Sequence, residues 1–147
     1  LNGKKLVGIL TEMSAQMNYI EYLVTGIGIN ANLREFPEEL ADKATSLQKE
    51  IGHKVNRSAL IAECMKKIEE NYEIFVKTQD LSGLMAAYQE VLVNQDQQVR
   101  VLEPGHEYTG VARGINAMGE LLVEKEDGTV TEVYAGEVSV RGLYGYV

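Results

Sequence analysis

Lys4-Lys5-Leu6-Val7-Gly8-Ile9-Leu10-Thr11-Glu12 is the stretch from which the fold is read. It is a nearly continuous apolar run flanked by charge, so it predicts a strand from Lys4 to Met13. Asn2-Gly3 stands directly before it, a pair suited to the type I′ turn, whose two central residues both need positive φ. Two readings of that pair are open: a hairpin turn whose first arm lies upstream of Leu1, or a loose turn at the start of the chain. Ser14-Ala15-Gln16-Met17-Asn18 reads as a turn. A second strand, Tyr19 to Asn30, ends in Val24-Thr25-Gly26-Ile27-Gly28-Ile29-Asn30.

Further along, the period becomes helical. Pro37-Glu38-Glu39 suits a first helical turn, with acidic groups where the helix dipole favours them, and predicts a short helix running to Ile51 and stopping at Gly52. Asn56 is placed to cap a long helix whose stripe is Leu60, Ile61, Cys64, Ile68, Tyr72, Phe75 and Val76. Asp80 is placed to cap another, with Leu81, Leu84, Met85, Tyr88 and Leu92 on one face. Both stripes read as core. After Asn94 the period becomes strand-like, over Val99-Arg100-Val101, Tyr108 to Arg113, Leu121 to Lys125, Val130 to Val133 and Glu137 to Val140. Pro104-Gly105, Met118-Gly119, Asp127-Gly128 and Ala135-Gly136 mark the breaks. Closely spaced strands with tight turns predict a small barrel. The boundary falls near Gln95-Asp96-Gln97, giving domains 1–95 and 96–147.

Composition narrows the function. The 147 residues carry 14 basic and 22 acidic groups, a formal net charge of −8. Residues 1–96 hold 10 basic and 14 acidic groups and residues 97–147 hold 4 and 8, so each part sums to −4. With no basic segment, contact with a phosphate backbone is not expected. No apolar run approaches the roughly 20 residues of a membrane helix, and no leader pattern stands at the start. The single cysteine, Cys64, cannot form an internal disulfide, fits a reducing compartment, and lies on a helical stripe where it reads as a small buried hydrophobe. His53 and His106 have no Cys or His partner at ligand spacing, so no metal site is expected.

Two clusters are candidates for chemistry. Gly8 inside a strand marks a close approach by a ligand or another backbone, and Lys5, off its face, could reach an anion near the strand end. Gly26-Ile27-Gly28-Ile29-Asn30 offers unhindered backbone and a terminal amide that donates and accepts at once, as an adenine edge requires. It lacks the setting of a dinucleotide fingerprint and the Gly-Lys-Ser/Thr of a phosphate loop, so tight strand packing remains the competing reading.

Taken in order, Lys4 to Glu12, Gly26 to Asn30, Phe36-Pro37 and Ala44-Thr45-Ser46-Leu47 resemble the second half of the catalytic domain of bacterial biotin–protein ligases. Gly110-Val111-Ala112-Arg113-Gly114, Gly136-Glu137-Val138-Ser139-Val140-Arg141-Gly142 and Gly145-Tyr146-Val147 are similar to the C-terminal SH3-like barrel of the bifunctional ligase-repressors. The resemblance implies an α+β chain, a partial mixed sheet with helices followed by a small SH3-like β-barrel. The family's Gly-Arg-rich adenylate loop, its Lys-Trp-Pro-Asn-Asp motif and its winged-helix DNA-binding domain do not occur here. The chain is therefore expected to be a C-terminal fragment.

By that resemblance, biotin, ATP and Mg2+ are the cofactors and substrates of the intact enzyme. Biotinoyl-adenylate forms and acylates a lysine on a biotin carrier protein domain of acetyl-CoA carboxylase type. Lys5 is the implied catalytic cation, and Lys5, Gly8, Ile9 and Leu10 the biotin wall. Gly28, Asn30, Glu137 and Arg141 are the implied ATP or adenylate positions, and residues 31–44 a loop over the nucleotide. A cytoplasmic homodimer is implied, with DNA bound only by the winged-helix domain of a longer parent and no membrane contact. Simpler readings stand beside these: Lys5 as a solvated strand residue, and Glu137 with Arg141 as a surface ion pair. A second function class is a non-enzymatic dimerisation or interaction module of a repressor. The upstream Gly-Arg loop in the gene would favour the ligase, and a gene starting at Leu1 the module.

Overall fold

The computed structural model describes residues 1–103, 105–133 and 139–142, the last four as backbone. Two compact units are present, Leu1–Ala62 and Glu63–Val147. Among the described residues the elements are helices and antiparallel sheets.

The first unit is built on a hairpin of β1 (Val7–Gln16) and β2 (Tyr19–Ile29). Their register pairs Val7 with Ile29, Gly8 with Gly28 and Leu10 with Gly26. The turn is tighter than expected: Ser14 to Gln16 continue the ladder, with a register shift at Ser14/Ala15. Ser14 Oγ and Gln16 Nε2 both donate to the Glu21 carboxylate, at 2.8 and 2.5 Å, tying the two arms together. Those two donors, Ser14 first, lower the pKa of Glu21.

At the other end, β1 begins later than Lys4. Asn2 and Gly3 have φ of 52° and 73°, and the Lys4 N–H donates to the Leu1 carbonyl at 3.0 Å. That is the geometry of a type I′ turn. Lys5 then leaves the hairpin ladder for an isolated parallel bridge with Ala44.

This bridge explains a correction. The helix expected from Pro37 to Ile51 is split into a 3-10 turn, Glu38–Leu40, and a short α1, Leu47–Ile51. Residues between them are drawn out to meet Lys5, a non-local pairing that local propensity does not report. Ser46 caps α1, its Oγ accepting from the Lys49 N–H at 3.2 Å, and Gly52 closes it at φ 81°. The buried residues here are small: Ala31, Ala44, Thr45 and Ser46.

Asn56 Oδ1 accepts from the N–H groups of Ser58 and Ala59 and caps α2, Arg57–Thr78, as expected. The expected burial of its stripe is not found. Ile61, Ile68, Tyr72 and Phe75 are exposed and Cys64 is only half-buried, because no described residue covers that face. The next helix, α3, is also shorter than expected and spans Met85–Val91. Asp80 Oδ1 accepts from Ser82 N–H, but the Leu81 N–H donates to the Ala117 carbonyl at 2.8 Å, which holds Leu81 in a turn.

The second unit's sheet comprises β3 (Gln98–Glu103), β4 (His106–Ile115), β5 (Leu121–Glu124), β6 (Val130–Val133) and β7 (Ser139–Gly142). They are antiparallel in the order β6-β5-β4-β3-β7. Alternation puts Val99, Val101, Ala112 and Val123 into a buried cluster, with Tyr108, Leu121 and Val133 against it. Among the described residues β6 and β7 remain the two ends of an open sheet.

Gly110 is where this sheet tolerates least. A Cβ there would lie 2.6 Å from both the Glu124 carbonyl oxygen and Val123 Cγ1. Gly110→Ala is expected to destabilise the chain by about 1–3 kcal/mol through overpacking. A urea or thermal melt checks this, and an unchanged midpoint would contradict the packing.

Candidate functional site: a bare face on the first hairpin

Successive strand side chains point to opposite faces, and paired residues share one. Gly8 and Leu10 therefore lie on one face with their partners Gly28 and Gly26, and Asn30, two residues beyond Gly28, follows the same parity. Val7, Ile9, Ile27 and Ile29 lie on the other. Ile9 is thus separated from Gly8 and Leu10, and reaches their side only through its backbone.

Among the described residues nothing demands glycine at these sites. None of the three glycines has positive φ. A Cβ at Gly26 or Gly28 would lie 3.7 or 3.8 Å from a neighbouring carbonyl oxygen, an ordinary contact. Three positions on one face are therefore bare without crowding or strain to explain it. Such a face leaves room for a flat body to rest on the strands.

Lys5 lies across it. Its Cε is 3.8 Å from where a Gly8 Cβ would stand, so the arm runs over the glycine although the residue was placed off its face. The backbone beneath is held twice: Lys5 N–H donates to the Lys43 carbonyl at 2.8 Å, and Thr45 N–H donates to the Lys5 carbonyl at 3.0 Å. Among the described residues the Lys5 ammonium has no carboxylate partner within 4.0 Å.

Asn30 is fixed by its main chain. Its N–H donates to the Leu6 carbonyl at 3.0 Å, and its carbonyl accepts from the Leu47 N–H at 2.9 Å. The first turn of α1 thus rests on Asn30, while the half-buried side-chain amide makes no hydrogen bond among the described residues. The 31–44 segment is tied at several points. Asn32 exchanges two hydrogen bonds with the Val55 backbone, at 2.9 and 3.0 Å, and Ser46 Oγ donates to the Leu33 carbonyl. Lys49 sits 5.2 Å over the Phe36 ring.

Glu50 and Thr45 did not figure among the candidates. The Glu50 carboxylate accepts from Thr45 Oγ1 and from Asn2 Nδ2, each at 2.5 Å, and these two donors, Thr45 first, lower its pKa. The Asn2–Glu50 contact spans 48 positions, and no local pattern announces it.

The remaining candidates belong to the second unit. Arg141 lies in β7, its backbone opposite Arg100 in β3, and Glu137 lies outside the described residues. A hollow of about 100 Å³ in this unit includes Thr109, Gly110, Arg113 and Lys125. It is smaller than the ~300–1,000 Å³ of ordinary ligand sites. Its Arg113 is already held by Asp96 and Glu124, at 2.8 and 2.6 Å. No group of three His, Cys, Asp or Glu that could hold a metal ion occurs among the described residues. No described helix is long and apolar enough to cross a membrane.

Residues 96–141 match the family model described as "Biotin protein ligase C terminal domain". The chain is 32% identical over 142 residues to the bifunctional ligase/repressor BirA of Bacillus subtilis, covering 95% of this chain and 43% of that protein. It is 27% identical over 141 residues to BirA of Escherichia coli, covering 96% and 43%. Among solved structures it is similar to the apo biotin protein ligase of Aquifex aeolicus, with a TM-score of 0.81 and 31% identity over 97% of this chain and 61% of that one. The same Aquifex ligase in complex with biotin and ATP gives a TM-score of 0.76 and 29% identity, covering 95% and 57%. The chain spans less than half the length of the curated relatives it matches.

Proposed function

We propose, on the premise that this chain is a relative of the bacterial biotin protein ligases, that it forms one wall of the site of an ATP-dependent biotin–protein ligase. That enzyme converts biotin to biotinoyl-adenylate and transfers it to a lysine of a biotin carrier protein domain, of acetyl-CoA carboxylase type. The observation that carries the reading is the glycine face of the first hairpin with the Lys5 arm across it.

Each residue then has a task. Lys5 meets the biotin carboxylate and the phosphate oxygens, where negative charge builds as the anhydride forms, and a cation fixed there lowers the barrier. Gly8 and Leu10 carry the biotin rings, with Ile9 supplying backbone. Gly28 leaves room for the nucleotide, and the Asn30 amide meets the adenine edge. Glu137 and Arg141 are assigned to ATP by family resemblance. Mg2+ would accompany the triphosphate, but the described residues offer no acidic group of three to hold it, and no step is assigned through it.

Residues 96–147 are read as an SH3-like domain following a catalytic part in residues 1–95. Edges of the hairpin that are unpaired among the described residues, with exposed apolar side chains, support a homodimer. A longer parent would be a cytoplasmic ligase and biotin operon repressor, its DNA contacts lying outside this chain. The exposed faces also favour a second reading, a dimerisation or interaction module without catalysis.

The test is transfer of labelled biotin from biotin and ATP to a carrier domain. The polypeptide that carries this sequence in its gene is expected to turn over. Residues 1–147 alone, with one wall and only Lys5 and Arg141 as assigned cations, are not, because each missing oxyanion donor costs about 2.7–4 kcal/mol. No turnover by either would favour the interaction module.

Asn30→Ala in the full polypeptide is expected to weaken ATP more than biotin, by about 1–3 kcal/mol for an unsatisfied partner. Calorimetry with equal losses for both ligands would contradict the adenine assignment.

A further inference from the structure

Glu50 has no task in the reaction above, and helix capping does not explain it. Ser46 caps α1, so the capping-box position is Lys49, and Glu50 comes one residue later. Its carboxylate instead closes a ring. Asn2 Nδ2 and Thr45 Oγ1 both donate to it, Thr45 N–H donates to the Lys5 carbonyl, and Lys5 follows the Asn2-Gly3 turn. Thr45 is only 1% exposed, so its hydroxyl needs a partner. A carboxylate is suited to the place because it accepts two donors on two oxygens without offering a competing proton. The backbone of Lys5 is thereby held from the turn before it and from the Ala44-Thr45 segment bridged to it.

We propose that Glu50 is a positioning residue for Lys5, acting through Asn2 and Thr45 to set where the Lys5 arm crosses the glycine face. The proposal rests on the ligase reading for its effect on catalysis, though the ring itself does not.

Both parts are tested in the full polypeptide with Glu50→Ala, a substitution that suits an exposed helix position. Hydrogen exchange at the Lys5 and Thr45 amides is expected to rise about tenfold as their support loosens. Unchanged exchange would overturn the ring, whether or not the protein turns over. The kcat for biotinoyl-adenylate formation is expected to fall about tenfold with the biotin KM nearly unchanged, since small misplacements at a reacting centre cost up to ~100-fold. Lys5→Met with Glu50→Ala should then be no slower than Lys5→Met alone. Thr45→Val should reproduce the Glu50→Ala loss, and Thr45→Ser should restore most of the rate. Independent, additive losses would overturn the positioning role. A wild-type protein without turnover would overturn the ligase reading, and exchange would still decide the ring.

Discussion

Gly28→Val is expected to abolish measurable nucleotide and biotin binding at ordinary concentrations while leaving the chain as stable as before or more so. The two effects have separate causes. Gly28 lies within β2, where a β-branched residue is favoured over glycine by up to ~1 kcal/mol. A Cβ there meets only the Gly8 carbonyl oxygen, at 3.8 Å, so the fold accepts it. A valine would nonetheless stand on the face shared with Gly8, Gly26 and Asn30. One methylene in a fitted site changes discrimination about 10–200-fold, so a whole isopropyl group is expected to cost at least the upper figure. Calorimetry with biotin and with ATP, beside a thermal melt, reads both. A variant that melts lower and binds normally would mean that the glycine serves packing.

Lys5→Met is expected to reduce kcat for adenylate formation about 100–1,000-fold, the usual cost of losing one fixed electrostatic partner of a developing charge. Methionine keeps the apolar arm that lies over Gly8, so the loss reports the charge. Biotin KM should change far less, because an interaction made mainly in the transition state appears in kcat. Lys5→Arg should not restore the full rate, since a planar guanidinium presents its donors in a different geometry from an ammonium. Pyrophosphate release in the full polypeptide is the measurement. A loss below about threefold would return Lys5 to the standing of a solvated strand residue.

Where local signals were enough, the fold was legible in the residues. The strand-like period over Val99-Arg100-Val101 and Tyr108 to Arg113, with glycines at the turns, marks the cores of strands that run from Gln98 to Glu103 and from His106 to Ile115, and Asn56 marks the start of α2. The misreadings have non-local causes. The helix expected from Pro37 is broken because Ala44 pairs with Lys5, almost 40 positions away. The expected helix after Asp80 loses its first turn because Leu81 bonds to Ala117. The α2 stripe has the spacing of a core face, yet periodicity records what a helix could bury, and the described residues do not cover it.

The candidate site was partly legible for the same reasons. Glycine and asparagine spacing singled out Gly8, Gly26, Gly28 and Asn30, which the hairpin register gathers on one face. The same parity, applied to the residues, would have separated Ile9 from Gly8 and Leu10. That Lys5 crosses this face depends on how its arm folds back, which spacing alone does not reveal. The Glu50 ring joins the start of the chain to Thr45 and Glu50, more than 40 positions on, and residue types carry no trace of it.

A crystal structure of the full polypeptide with biotin and ATP, or with a stable biotinoyl-adenylate analogue, tests the central claim most directly. The predicted result is a ligand lying flat against Gly8, Gly26 and Gly28, with Lys5 Nζ at the carboxyl and phosphate oxygens and the Asn30 amide at the adenine. A ligand seated away from that face, or a Lys5 ammonium that stays clear of a ligand bound there, would contradict it.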